Sequence, residues 1–99
     1  MKIVWSAEAR KSLRAIRKFI AQDSEFYAER VIARIIGRVE AASQMPGRGH
    51  PVHEYPEAPL REAHEASYRI IYLAGEGTLH VVTIVHFKQV LKAKRLRGF

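Results

Sequence analysis

Leu60-Arg61-Glu62, then Tyr68-Arg69-Ile70-Ile71-Tyr72-Leu73, then Gly75-Glu76-Gly77 and the run from Leu79 to Lys88 form the stretch whose reading decides the fold. It reads as three short β-strands. Tyr68 to Leu73 is apolar or aromatic at nearly every position, as suits a central strand covered on both faces. Gly75-Glu76-Gly77 offers positive-φ residues between two β-rich runs, a hairpin signal. Beyond it Leu79, Val81, Thr83 and Val85 alternate with His80, Val82, Ile84 and His86, so this strand carries apolar side chains on both faces. Arg61, Arg69, His86 and Lys88 punctuate the three strands. The expectation is a rigid sheet with cationic side chains at its edges.

Upstream, Lys2 to Trp5 reads as a short strand and Ser6 as the N-cap of a helix. Ala9, Leu13, Ile16 and Ile20 then give an apolar stripe for a helix of about 16 residues, with Arg10, Lys11, Arg14, Arg17 and Lys18 on its solvated side. Gln22-Asp23-Ser24 ends that helix and caps a second, with Glu25 favourably placed in its first turn. Ala28, Val31, Ile32, Ile35, Ile36, Val39 and Ala42 make a stripe wide enough to face the sheet and also a partner, opposite Arg30, Arg34 and Arg38. Gly37 costs this helix about 1 kcal/mol against Ala unless something packs closely on it. A short polar joint makes the two helices an antiparallel hairpin.

Met45 to Pro59 holds four prolines and two glycines and reads as a loop. Pro46-Gly47-Arg48-Gly49 lacks the length and the Lys-Ser/Thr ending of a phosphate-binding loop. His50, His53 and His64 have no Cys or helical His partner, so solvent-exposed histidines and no metal site are expected. Leu91 to Arg97 is a short basic tail, read as a last helical turn or a frayed end that buries little apolar area.

With 99 residues, 47% hydrophobic and 27% charged, the chain is expected to form one domain over residues 1–99. The absence of cysteine excludes disulfides and thiolate chemistry, and no cofactor is implied. No apolar run reaches the ~20 residues of a membrane span and nothing at the start reads as a signal peptide, so a cytoplasmic protein is expected. A formal charge of +7 favours an anionic partner, nucleic acid or acidic protein.

The order of these elements and several residues resemble the toxins of the RelE/ParE superfamily of bacterial type II toxin–antitoxin systems, over nearly the whole chain. The resemblance rests on Trp5, Ala7-Glu8-Ala9, Leu13 and Ile16; on Ala28-Glu29-Arg30-Val31 and Ile35; and on Met45-Pro46-Gly47-Arg48-Gly49. Its strongest part is Leu60-Arg61-Glu62 followed by Tyr68-Arg69-Ile70-Ile71-Tyr72 and Val82-Thr83-Ile84-Val85-His86. It implies an α+β fold in the order β-α-α-β-β-β with a short basic C-terminal segment. It also implies an acidic cognate antitoxin that folds on binding, in a toxin–antitoxin hetero-oligomer.

Two branches follow from the resemblance. ParE-like members poison DNA gyrase; RelE-like members cut messenger RNA on the ribosome. On the second branch Arg61, Arg69 and His86 match catalytic positions of a small ribonuclease. However, Phe87 stands where a proton-donating Tyr is often found, no tyrosine follows Tyr72, and the loop lacks a lysine cluster. The ParE-like branch is therefore favoured, with Arg48, Arg61, Arg69, His86, Phe87 and Lys88 as target-binding candidates and Leu13, Arg17, Val31 and Ile35 as antitoxin-binding candidates. A degenerate, non-toxic antitoxin-binding module is a further alternative. The bland readings are a surface ion pair for Arg61, core packing for Tyr68 and Tyr72, and packing for His86. Arg69, a cation inside an apolar strand, must be paired or serve something.

Overall fold

A computed structural model describes residues 1–97; positions 98 and 99 of the expected domain lie outside the described residues. In chain order the elements are β1 (Lys2–Trp5), α1 (Ala7–Ala21), α2 (Glu25–Gln44), a 3-10 turn (Pro46–Arg48), β2 (His50–Pro51), β3 (Arg61–Glu65), β4 (Tyr68–Gly75), β5 (Thr78–His86) and a second 3-10 turn (Ala93–Leu96). Among the described residues, no helix is long and apolar enough to cross a membrane.

The three strands read from the sequence form the middle of the sheet, β3 and β5 each antiparallel to β4. The sheet itself has five strands in the order β1-β5-β4-β3-β2. β1 joins it in parallel with β5, Ile3 opposite Leu79 and Trp5 opposite Val81. β2 pairs His50 with Glu62 and Pro51 with Arg61, inside the stretch expected to be wholly loop. A strand of two residues is too short to leave an alternation in the sequence.

Register corrects the face assignment of β5. Pairing passes from Ile71↔Thr83 to Tyr72↔Val81, which leaves Val82 as an extra residue, a β-bulge. The alternation therefore slips: Leu79, Val81 and Ile84 face the helices, whereas Val82 and Val85 face the other way. In the β4–β5 turn it is Glu76 (φ 50°) and Gly77 (φ 77°), not Gly75, that take the left-handed conformation. Positive φ at both central residues matches the twist of a tight hairpin.

Each sheet face has its own core. Ala9, Val31, Ile35, Val39 and Ala42 of the helices pack on Ala63, Ile70, Tyr72, Leu79, Val81 and Ile84. On the reverse face Ile71, Val82 and Val85 are covered by Val52 and Leu60 from the loop and by Leu91 from the C-terminal segment. Both helix caps form as read: Ser6 Oγ accepts from Ala9 N at 2.9 Å and Ser24 Oγ from Tyr27 N at 3.0 Å. Ser6 also donates to Val82 O at 2.7 Å, so the cap ties α1 to the bulge.

Gly37 has nothing within 4 Å of where a Cβ would stand, so no close packing justifies it. Gly37→Ala is therefore expected to stabilise the fold by about 0.5–1 kcal/mol. The midpoint of a thermal melt should rise by about 4–8 °C per kcal/mol for a domain of this size; an unmoved or lower midpoint contradicts the assignment.

The C-terminal segment departs from the expectation of a loosely attached tail. Leu91 is 1% exposed and Leu96 packs on the same cluster. The Arg95 guanidinium donates to Glu8 Oε2 at 3.1 Å, Ser12 Oγ at 3.0 Å and Ile84 O at 2.8 Å. An apolar knob every few residues within a basic run leaves too faint a pattern to read, yet it closes the reverse core.

Candidate target-binding site

Arg69 is held by four hydrogen bonds at the centre of the reverse face. β4 points it there, 3% exposed, between the loop and the C-terminal segment. Its Nε donates to Glu62 Oε2 at 2.6 Å, and its terminal nitrogens donate to Glu54 Oε2 at 2.9 Å, Glu54 Oε1 at 2.7 Å and Gln89 O at 3.2 Å. Glu54 Oε2 also accepts from Leu91 N at 2.8 Å, so one carboxylate bridges the loop, the sheet and the tail. The Arg69 guanidinium holds the Glu54 carboxyl down at about 2, and the two carboxylates push the guanidinium pKa up. Desolvation opposes both shifts, but the fork geometry outweighs it. Arg69, read as a target-binding or catalytic candidate, is thus paired with two carboxylates, which meets the demand of its apolar strand for a partner.

Arg61 lies on the opposite face. Its guanidinium donates to Gly49 O at 2.7 Å, holding the Pro46–Arg48 turn against the sheet. Tyr72 donates to Pro46 O at 2.6 Å, and burial pushes its phenol pKa up. A Cβ on Gly49 would stand 2.1 Å from Tyr72 Oη, so only glycine permits this approach. Above Tyr72 opens a cleft of about 450 Å³ lined by Arg38, Met45 and Arg48. Arg38 donates to His64 O at 3.1 Å, and neither it nor Arg48 or Arg61 has a carboxylate partner among the described residues. A partly apolar cleft with cationic rims is suited to an anionic macromolecular surface.

His86 ends β5, its ring edge-on to Tyr68 at 5.7 Å and its Nδ1 accepting from Lys88 N at 3.1 Å. Phe87 is 58% exposed and meets His64 edge-on at 5.6 Å, and His64 stacks on His50 at 5.2 Å. His64 Nε2 lies 3.3 Å from Glu62 Oε1 without an aligned hydrogen bond. His50 and His53 are exposed as expected, whereas His64, on which His50 stacks, is half-buried.

The three residues read as a ribonuclease set do not converge. In register Glu65 faces Tyr68, which faces His86, whereas Arg61 faces Tyr72 at the other end of β3. Four residues along a strand and two strands across put Arg61 and His86 roughly 17 Å apart. Arg69 stands on the other face from both, so no common phosphate is reachable.

Of the antitoxin-binding candidates, Val31 and Ile35 are 3% and 0% exposed and belong to the core; a partner cannot touch them without opening the fold. Leu13 is half-buried and, with Ile3, Val4, Trp5 and Ile36, lines an apolar groove beside the free edge of β1. Arg17 is exposed and paired with Glu25 at 3.3 Å and Glu29 at 2.9 Å. Glu54, Arg38 and Arg95 escaped sequence reading. A buried cation implies a carboxylate partner but not which one, and Glu54 sits in a loop without periodicity.

Comparison with known proteins agrees with this fold. A family model described as the ParE toxin of type II toxin-antitoxin systems, parDE, matches residues 3–91. Toxin RelE2 of Caulobacter vibrioides is 33% identical over 85 residues, spanning 85% of this chain and 92% of that protein. A chain of the chromosomal ParDE TA system from P. aeruginosa shares the fold at a TM-score of 0.71 and 16% identity, over 89% of this chain and 97% of that one.

Proposed function

Because the chain belongs to the ParE toxin family of type II toxin–antitoxin systems, we propose that it arrests growth by poisoning DNA gyrase and is neutralised by an acidic cognate antitoxin. The observation that carries the choice of gyrase over messenger cleavage is the dispersal of Arg61, Arg69 and His86, with Arg69 spent on Glu54 and Glu62. Phosphoryl transfer needs uncompensated cations and a base around one phosphate. Arg38, Arg48 and Arg61 beside the Tyr72 cleft, and exposed Phe87 and Lys88 beyond the far end of β5, are read as separate contacts with a large target rather than as groups enclosing a reacting atom.

The antitoxin reading centres on the Ile3–Trp5–Leu13–Ile36 groove and the open edge of β1. An extended or helical segment can add main-chain bonds there and fill the groove with apolar anchors. Arg10, which lines the groove, speeds encounter with an acidic partner. Such a complex assembles in the cytoplasm, where gyrase acts.

The test is pulse-labelling of bacteria just after induction of this chain alone, following thymidine and methionine incorporation in parallel. Thymidine incorporation is expected to fall first, with the DNA-damage response rising and with co-expressed antitoxin restoring growth. Methionine incorporation collapsing first overturns the gyrase reading in favour of ribosomal messenger cleavage. No effect on either identifies a non-toxic antitoxin-binding module.

A further inference from the structure

A second cleft, of about 410 Å³, lies between α1 and the C-terminal 3-10 turn. Its floor is Ser12 and Ala15; Lys11 stands on one rim and Lys94 and Arg97 on the other. Arg95 fixes the tail as a wall through its three bonds to Glu8, Ser12 and Ile84 O. The same ion pair neutralises Glu8, whose carboxylate would otherwise repel an anion in the cleft. Lys11, Lys94 and Arg97 are exposed and, among the described residues, form no ion pair with a carboxylate. Three cations without a carboxylate partner among the described residues thus stand around one groove.

We propose that this cleft binds the phosphodiester backbone of a nucleic acid, with Lys11, Lys94 and Arg97 on phosphate oxygens. Lysine and arginine donors in a groove with no competing anion are what a phosphate chain recognises. An acidic protein is the poorer fit. It needs apolar anchors in pockets, and the apolar groove lies on the other flank of α1, at Leu13, not here. Phe19 adds a second argument. Glu8, Ser12, Ala15 and Phe19 recur at spacings of four, three and four, so Phe19 extends the floor by one turn with its ring 70% exposed. An exposed ring at the end of a cationic groove is a stacking platform for an unpaired base, which makes a single strand the preferred ligand.

The inference does not rest on the gyrase reading, and its assay contains neither gyrase nor ribosome. Anisotropy of a labelled single strand of about 16 nucleotides, titrated with the full-length protein between about 50 and 200 mM salt, reads the binding. The triple variant Lys11→Glu/Lys94→Glu/Arg97→Glu is expected to bind at least about tenfold more weakly, with the slope of log K against log salt shallower by about 0.7 for each phosphate no longer neutralised. The charge-matched triple Lys2→Glu/Arg30→Glu/Arg34→Glu should stay within about twofold of the parent, because long-range charge alone is screened at this salt. Phe19→Ala should cost at least about fivefold on the single strand and little on a duplex. All these side chains are exposed, so the thermal midpoint serves as the folding control. Equal weakening by both triples, or no measurable binding by the parent, overturns the proposal. Displacement of the oligonucleotide by polyglutamate at an equal concentration of charges assigns the cleft to an acidic protein instead and also overturns it.

Discussion

Replacing Arg69 by alanine is expected to lower stability by about 3–5 kcal/mol, because it strands two desolvated carboxylates. Glu54 and Glu62 are each about one-tenth exposed or less at the side chain, and Arg69 is their shared counter-charge. The loss should reach beyond β4, since Glu54 also holds Leu91 N and Arg69 also holds Gln89 O. Denaturant melts should show a lower midpoint and, at constant slope, a loss of this size. In the parent, Glu54 titrates at about 2 instead of its ordinary 4.5, so its share of stability is complete above 4.5 and fades only as pH falls toward 2. In the variant Glu54 is desolvated without its guanidinium, which raises its folded pKa. The variant is then penalised most where Glu54 is ionised, and its deficit should shrink as pH falls toward 4.5. A cycle with Glu54→Gln checks the mechanism: that change should destabilise the parent and be neutral or stabilising beside Arg69→Ala. Near-parental stability for Arg69→Ala, or a deficit independent of pH, removes the ion triad as a structural pin.

Val31→Asp should abolish the cooperative melt altogether. Val31 is 3% exposed in the apolar cluster that joins α2 to the sheet. Burying an unpaired carboxylate costs several kcal/mol, comparable with the ~5–15 kcal/mol that a whole domain has. Loss of antitoxin binding by this variant would follow from unfolding and say nothing about an interface. Arg17→Glu is the cleaner probe of that surface, since exposed pairs contribute about 1 kcal/mol or less. A folded Val31→Asp protein with a melt near that of the parent would show that α2 presents a different face to the sheet.

What the sequence made legible was local. Ser6 and Ser24 announce their helices because a cap is a bond to a residue three positions on. β4 and β5 announce themselves by their β-branched and apolar runs and by the Gly75-Glu76-Gly77 turn between them. Features set by distant partners were not legible. The two residues of β2, the bulge at Val82 and the burial of Leu91 depend on which segments meet. Arg69 shows the limit well: its strand context demands a partner, and that partner is Glu54, in a proline-rich loop whose sequence carries no periodic signal. The same blindness made Val31 and Ile35 look available to a partner, because a wide apolar stripe does not say how much of it the sheet will take.

The parallel pairing of β1 with β5 has a consequence for how the toxin comes into being. β1 is synthesised ahead of both helices, and its partner is the last strand of the sheet to follow. The sheet edge, the helix-facing core and the groove beside Trp5 therefore wait for one another until β5 has emerged. The segment that closes the reverse core comes later still. Such distant pairings make folding slow and leave apolar faces exposed meanwhile. The β1 edge and the groove beside it are accordingly complete only once β5 has been made, so any surface they offer a partner arises late in synthesis.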